Sequence, residues 1–223
     1  MLDALLFDLD GTLADTDKLH LLAMQQLLHE EGRVLSEAEF DAHISGRANA
    51  DLCRYLFPGR ALSEHLAFAE RKEARFRALS PTLQATPGLL RLLAYAEEHG
   101  LGMAVVTNAP RANAVHMLAA LGLEGRFEHV LVAEELARAK PDPLPYLSGL
   151  QRLEAQAGQA LAFEDSLPGV RAASGAGIFT VGVSTSQTAE ALMAAGAQLV
   201  VADFEDARLW EIIERMQRTS TLT

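Results

Sequence analysis

Six short apolar segments recur along the chain with helical patterns between them, and this alternation constrains the fold most. The segments lie at residues 4–7, 103–106, 129–132, 161–163, 179–183 and 199–201. Continuous apolar segments are typical of parallel strands that helices cover on both faces. The helical patterns end at stop signals, as 89–99 does before Gly100 and 111–121 does before Gly122. The sequence therefore predicts an α/β fold with a doubly wound, Rossmann-like parallel sheet.

The segment between the first two predicted strands breaks the alternation. Residues 15–80 carry helical patterns at 18–31, 36–43, 50–56 and 64–79 and no strand pattern. Ser36 and Glu39 have the spacing of a capping box at the start of the second pattern. An insertion after the first strand lies over the edge at which open parallel sheets bind ligands. We therefore predict a core domain of residues 1–14 and 81–223, and an inserted α-helical cap domain of residues 15–80.

The composition argues against several classes of protein. The chain has 223 residues, 49% hydrophobic residues and a formal net charge of −11. An acidic protein is not attracted to nucleic acid or to an anionic membrane, although solubility alone would also explain this charge. A single cysteine, Cys53, excludes an internal disulfide and a thiolate zinc site, and it fits a reducing compartment.

The hydropathy pattern gives no sign of export or membrane insertion. The N-terminus contains Asp3 and lacks the basic segment of a signal peptide. No apolar run approaches the roughly 18 residues that a membrane span requires. We expect a cytoplasmic protein without a membrane or nucleic-acid partner, and we expect a monomer.

Two carboxylates, Asp8 and Asp10, directly follow the first predicted strand and precede Gly11, Thr12 and an apolar residue. Repulsion between two such anions is relieved by a hard divalent cation, and Mg²⁺ prefers sites with one or two carboxylates. One aspartate can then act as a nucleophile while a second transfers protons. The alternative is that the pair only caps the helix that follows.

Polar residues also follow later strands. Thr107 and Asn108 offer a hydroxyl and an amide for phosphate oxygens, although such a pair often simply caps a helix. Lys140, in a turn that Pro141 and Pro143 stiffen, could neutralise a transferring phosphoryl group, or could be a solvated loop charge. Glu164 and Asp165 are best explained by a cation shared with the first acidic pair, the alternative being helix capping by Asp165.

These motifs, taken in order, resemble those of the haloacid dehalogenase superfamily of phosphohydrolases. They are Asp8-x-Asp10-Gly11-Thr12, Thr107-Asn108, Lys140-Pro141 and Glu164-Asp165-Ser166. The helical insertion is similar to the small α-helical cap of the β-phosphoglucomutase and phosphoglycolate phosphatase relatives in that superfamily.

The resemblance implies a role for each matched residue. It implies that Asp8 is the nucleophile, that Asp10 is the general acid and base, and that Thr107 and Lys140 hold the phosphate. It also implies a Mg²⁺ site, whose ligands would be Asp8, the backbone carbonyl of Asp10, Glu164 and Asp165.

Residues of the insertion extend the resemblance to substrate binding. His20 matches a histidine that couples cap closure to proton transfer, although a partly exposed helix histidine is an equal alternative. In the loop Ser45-Gly46-Arg47-Ala48-Asn49, Gly46 would let the backbone approach the substrate, and Arg47 could hold an anionic or hydroxyl-rich part of it. Asn49 stands where β-phosphoglucomutases carry an arginine, which favours a phosphatase.

The sequence thus predicts a Mg²⁺-dependent phosphatase that acts on a small-molecule phosphate ester through an aspartyl-phosphate. A sugar phosphate or a related monoester is the expected substrate. The alternatives are a phosphomutase, a dehalogenase and a non-enzymatic phospho-accepting receiver protein. A dehalogenase would not require Asp10 or the acidic pair Glu164 and Asp165. The helical insertion argues against the receiver.

Overall fold

The computed structural model describes residues 1–45 and 47–218, and its sheet has the predicted doubly wound form. Six parallel strands stand in the order β3-β2-β1-β4-β5-β6. Their bounds are β1 Ala4–Phe7, β2 Gly102–Thr107, β3 His129–Val132, β4 Ala160–Glu164, β5 Phe179–Val183 and β6 Leu199–Val201. The predicted fold class is confirmed, with β2 and β4 each one residue longer at both ends than the apolar pattern indicates.

Ten α-helices lie between and after the strands in the described part of the chain. They are α1 Asp17–Glu30, α2 Glu37–His43, α3 Asn49–Leu56, α4 Leu62–Leu79, α5 Leu89–Glu98, α6 Arg111–Ala120, α7 Leu144–Arg152, α8 Leu167–Gly175, α9 Ala189–Ala195 and α10 Ala207–Arg218. Ser36 caps α2, because its hydroxyl accepts a hydrogen bond from the backbone N–H of Glu39. None of these helices combines the length and the apolar character that a membrane crossing needs.

The central strands are apolar throughout because both faces of the sheet are buried. Along β1, Phe7 packs into one apolar cluster with Phe163 and Phe204, and Leu6 packs into another on the opposite face. Successive side chains of a strand point to opposite faces. A continuous apolar strand therefore needs helices on both sides, which is the arrangement found here.

Helices α1 to α4 follow β1 and precede α5, and we refer to them as the helical insertion. They enclose an apolar cluster of their own, which includes Met24, Phe40, Leu52 and Phe68. Helix α1 begins at Asp17, shortly after the carboxyl end of β1. The insertion is thus placed next to the edge of the sheet at which the acidic motifs lie. The exact domain boundaries stay a prediction.

Candidate active site

Three buried carboxylates, those of Asp8, Glu164 and Asp165, meet at the carboxyl edge of the sheet. One oxygen from each lies within 4.8 Å of the others. They come together because β1 and β4 are neighbours in register, with Phe7 opposite Phe163. The residues at the carboxyl ends of these two strands therefore share one site, although more than 150 residues separate them in the chain.

Lys140 is the cation of this cluster. Its ammonium group donates hydrogen bonds to Asp8 Oδ1 (2.5 Å) and to Glu164 Oε1, and its side chain is 2% exposed. Burial opposes the charged form of this lysine, but the two carboxylates outweigh burial and raise the pKa of Lys140. The Tyr146 hydroxyl donates to the same oxygen of Glu164 at 2.8 Å. Lys140 is thus a buried cation, and the alternative of a solvated loop charge is wrong.

The cluster nevertheless carries excess negative charge. Burial, and the neighbouring carboxylates, raise the pKa of Asp8 and of Asp165 well above the usual range. Ser186 orients Asp165 by donating its hydroxyl to Oδ2 at 2.6 Å. Carboxylate oxygens are the ligands that hard divalent cations such as Mg²⁺ prefer. The donor set and its uncompensated charge therefore fit a Mg²⁺ ion.

Two glycines leave the space that these carboxylates fill. A Cβ atom on Gly11, whose φ is +75°, would lie 2.1 Å from Asp165 Oδ2. A Cβ atom on Gly169 would lie 2.0 Å from the carboxylate of Glu164. Both distances are far below van der Waals contact, so any side chain at either position would displace one of the acidic groups.

We expect Gly11→Ala to weaken binding of a divalent cation at least tenfold, because the new methyl group displaces Asp165. Titration with Mn²⁺, followed by electron paramagnetic resonance, would measure this affinity. Gly125→Ala is the matched control, since Gly125 also has a positive φ, of +73°, but a Cβ atom there meets nothing within 4 Å. Equal Mn²⁺ affinity in the two variants would show that the cation site does not depend on the close contact between Gly11 and Asp165.

The carboxylate of Asp10 has different partners. Its Oδ1 accepts a hydrogen bond from the Thr16 hydroxyl (2.8 Å), and His20 Nε2 also lies 2.8 Å from it. Burial would raise the pKa of Asp10, but the charge and hydrogen bond of His20 lower it overall. The His20 ring stacks on Phe76 of α4 at 3.9 Å. The side chain of Asp10 is thus bonded to His20 of the insertion. Metal binding by the backbone carbonyl of Asp10 stays a prediction.

Thr107 ends β2 beside the cluster, and Asn108 follows it. Thr107 is buried, and its hydroxyl accepts a hydrogen bond from the N–H of Ala109 (3.0 Å). The Asn108 amide bonds to the backbone of Lys140, accepting from its N–H at 3.1 Å and donating to its carbonyl at 3.4 Å. Asn108 therefore fixes the loop that carries the buried lysine, in addition to facing the cavity described next.

A cavity of about 70 Å³ lies between the carboxylates and the helical insertion. The core contributes Asp8, Asp10, Thr107, Asn108, Lys140 and Asp165 to its wall. The insertion contributes His20, Arg47 and Asn49, together with residues not predicted as site residues, among them Asp17, Lys72 and Glu73. Glu164 is fully buried behind this wall, and the predicted site residue Gly46 lies outside the described residues. Apart from Glu164 and Gly46, the predicted site residues of the core and of the insertion therefore line one cavity.

A second cavity, of about 560 Å³, adjoins the first, and Arg47 and Lys140 line both. Arg47 is exposed and donates a long hydrogen bond, 3.4 Å, to the Ala42 carbonyl. Its guanidinium group therefore remains available to a ligand that extends from one cavity to the other.

Some cavity residues could have been found from the sequence. Lys72 stands between Phe68 and Phe76 at spacings of four, so a charged residue lies on the buried face of α4. Asp17 also lines the cavity, where burial raises its pKa to about 6. Nothing in the local pattern around Tyr146 indicates a contact with Glu164, since that contact arises only when α7 packs on the sheet.

Comparison with known proteins gives a matching family and relatives of similar length. The family of haloacid dehalogenase-like hydrolases matches residues 5–183. The validoxylamine A 7′-phosphate phosphatase of Streptomyces hygroscopicus subsp. limoneus is 30% identical over 207 residues, which are 91% of this chain and 94% of that protein. The phosphorylated carbohydrates phosphatase of Thermotoga maritima is 30% identical over 204 residues, which are 90% and 94% of the two chains.

A solved structure shares the whole architecture. A CbbY variant from Rhodobacter sphaeroides, crystallised in complex with xylulose-(1,5)bisphosphate, has a TM-score of 0.83 and 27% sequence identity to this chain. The match covers 92% of this chain and 96% of that one.

Proposed function

This chain belongs to the haloacid dehalogenase-like hydrolase family and is a phosphoric monoester hydrolase, and we propose that it uses Mg²⁺ and an aspartyl-phosphate to hydrolyse a small phosphorylated metabolite. The buried cluster of Asp8, Glu164, Asp165 and Lys140 at the cavity wall carries this proposal. It combines a carboxylate nucleophile, a fixed cation and oxygen ligands for a metal ion at one point.

In the proposed reaction, Asp8 attacks the phosphorus atom of the substrate. Lys140 holds Oδ1, so we assign the attack to Oδ2. The phosphorus–oxygen bond of the ester breaks, and the leaving oxygen takes a proton from Asp10. Despite burial, His20 lowers the pKa of Asp10 in the free protein, and the negative charge of a bound phosphate ester would raise it again toward the protonated form that this step needs. Asp10 then accepts a proton from a water molecule, which attacks the phosphorus of the aspartyl-phosphate, releases inorganic phosphate and regenerates Asp8. Thr107 and Lys140 would hold the phosphoryl oxygens.

The proposed metal site lies among the buried carboxylates. Asp8, Asp165, Glu164 and the backbone carbonyl of Asp10 are the groups that would hold Mg²⁺. When bound, the ion would offset the negative charge of the carboxylates and of the phosphoryl group. Burial, and the neighbouring carboxylates after it, raise the pKa of Asp8 and of Asp165, and a bound cation would favour the ionised form of both groups, which supports this assignment.

The wall provided by the insertion supports a polar substrate. Arg47 and Lys72 are cations that favour anionic groups and hydroxyls, while Asp17 and Asn49 can accept hydrogen bonds from hydroxyls. The relatives named above act on phosphorylated carbohydrates or on validoxylamine A 7′-phosphate. We therefore propose a sugar phosphate, or a related hydroxylated monoester, as the substrate class.

We expect Arg47→Ala to lower kcat/KM for the native substrate at least tenfold. Loss of one charge-assisted hydrogen bond costs about 1.5–3 kcal/mol. A small aryl phosphate has no anionic or hydroxyl group for Arg47 to bind beyond its phosphate, so the variant should hydrolyse it at nearly the wild-type rate. Arg54→Ala is the matched control, because Arg54 is an exposed arginine of α3 that pairs with Asp51 instead of lining the cavity. An unchanged kcat/KM for the native substrate would contradict the role of Arg47.

A screen of phosphorylated metabolites, with inorganic phosphate as the readout, tests the proposed function. We expect phosphate release from at least one sugar phosphate in the presence of Mg²⁺. An isomeric phosphate ester as the product would instead indicate the phosphomutase alternative. A protein that is phosphorylated once by acetyl phosphate and releases nothing would indicate the receiver alternative.

A further inference from the structure

We propose that Glu73 is a positioning residue that fastens the helical insertion to the core through Asn113 of α6. Its expected effect on turnover rests on the proposed function, whereas the fastening itself can be measured without a substrate. The mechanism above does not use this buried carboxylate, although it lines the cavity.

Glu73 has partners on both sides of the cavity. Its Oε1 accepts hydrogen bonds from Asn49 Nδ2 and Lys72 Nζ, each at 2.8 Å. Its Oε2 accepts a hydrogen bond from Asn113 Nδ2 at 2.5 Å. Asn49 and Lys72 belong to the insertion, whereas Asn113 belongs to the core and is 0% exposed. One carboxylate therefore joins three elements: α3, α4 and α6.

These three elements each carry part of the candidate site. Helix α6 begins at Arg111, shortly after Thr107, the last residue of β2, and Asn108. Helix α3 begins at Asn49, directly after the loop that holds Arg47. Glu73 thus connects the helix behind the predicted phosphate loop with the helix behind the predicted substrate loop, and it also holds the ammonium group of Lys72.

The polar contacts between α4 and α6 continue toward the end of α4. Arg77 donates to Asn113 Oδ1 at 2.7 Å, so both the oxygen and the nitrogen of the Asn113 side-chain amide form hydrogen bonds to α4. Three residues further along α6, His116 Nε2 lies 2.8 Å from the Ser80 carbonyl, where α4 ends. Residues three apart lie on one face of a helix. One face of α6 therefore holds the second half of α4 by polar contacts.

Moving the insertion away from the core would break these contacts. Burial would raise the pKa of Glu73, but the charge of Lys72 lowers it overall, so the group stays ionised. Hydrogen bonds to a buried ionised group are strong, and a partner left unpaired there is costly. The pair Glu73 and Asn113 consequently contributes the buried ionic part of the contact between α4 and α6, which is the basis of the positioning role.

Hydrogen–deuterium exchange of the substrate-free protein tests the fastening. In Asn113→Ala and in Glu73→Gln, amides in the second half of α4 and the first turn of α6 should exchange at least tenfold faster than in the wild type. Glu70→Gln is the matched control, because Glu70 is an exposed carboxylate of the same helix, and it should exchange like the wild type. Wild-type exchange in both Asn113→Ala and Glu73→Gln would overturn the proposal.

Kinetics with p-nitrophenyl phosphate distinguish positioning from direct substrate contact, since Asn113 also lines the cavity. Each single variant should lower kcat at least fivefold, and the double variant should be no slower than the slower single variant. If the two residues contacted the substrate independently, the losses would multiply, and that result would overturn the positioning role. Because the exchange experiment needs no substrate, failure of the phosphatase proposal would be seen separately.

Discussion

Asp8→Asn should leave less than about a hundredth of the wild-type kcat, because an amide cannot form the acyl phosphate and is also a poorer metal ligand. The variant should stay folded. Asp8 lies at the edge of the sheet, and Lys140 keeps its second partner, Glu164, when the aspartate is replaced. Phosphate release and circular dichroism of the purified variant would check both expectations.

A matched control lies at the opposite end of the same strand. Asp3 precedes β1 and is exposed, so Asp3→Asn removes one carboxylate from the surface without touching the cavity. It should retain full activity. Turnover by Asp8→Asn above about a hundredth of the wild-type rate would mean that another group is the nucleophile, since an enzyme that has lost its attacking group keeps at most a low residual activity.

Removal of divalent metal should be the second large effect. With excess EDTA we expect turnover to fall at least a hundredfold, because Lys140 alone does not offset the charge of Asp8, Glu164 and Asp165. Added Mg²⁺ should restore activity. Ca²⁺ should inhibit, since it takes more ligands at longer distances and would engage both oxygens of Asp8, including the attacking one. Full turnover in excess EDTA would rule out the metal site.

Much of the core could be predicted because parallel sheets obey simple rules. The apolar strands must be covered on both faces, and their carboxyl ends must meet at one edge. From these two rules the motifs at Asp8, Thr107 and Glu164 are expected to lie close together, and they do. The position of Lys140 does not follow from them, because it stands in a loop well after the end of β3. The predicted family and the predicted class of hydrolase are confirmed by the comparisons.

The contacts between the insertion and the core could not be predicted in the same way. A charged residue in a helix is usually solvated, so Glu73 has no local sign of a partner 40 residues away on α6. The same holds for Tyr146, whose hydroxyl reaches Glu164 only after α7 packs on the sheet. Such contacts depend on how helices pack on one another and on the sheet, whereas a strand is indicated by residues that are neighbours in the sequence.

The most direct test of the proposed mechanism is to trap the phosphorylated enzyme. The Asp10→Asn variant, mixed with p-nitrophenyl phosphate and Mg²⁺ and quenched in acid, should accumulate a phosphoryl group, because the p-nitrophenolate leaving group needs no proton in the first step whereas the second step lacks its base. Mass spectrometry should place that group on the peptide containing Asp8, and hydroxylamine, which cleaves acyl phosphates, should remove it. Phosphate release by the wild-type enzyme, with no phosphoryl group on Asp8 in wild type or variant at any time after mixing, would contradict the aspartyl-phosphate mechanism.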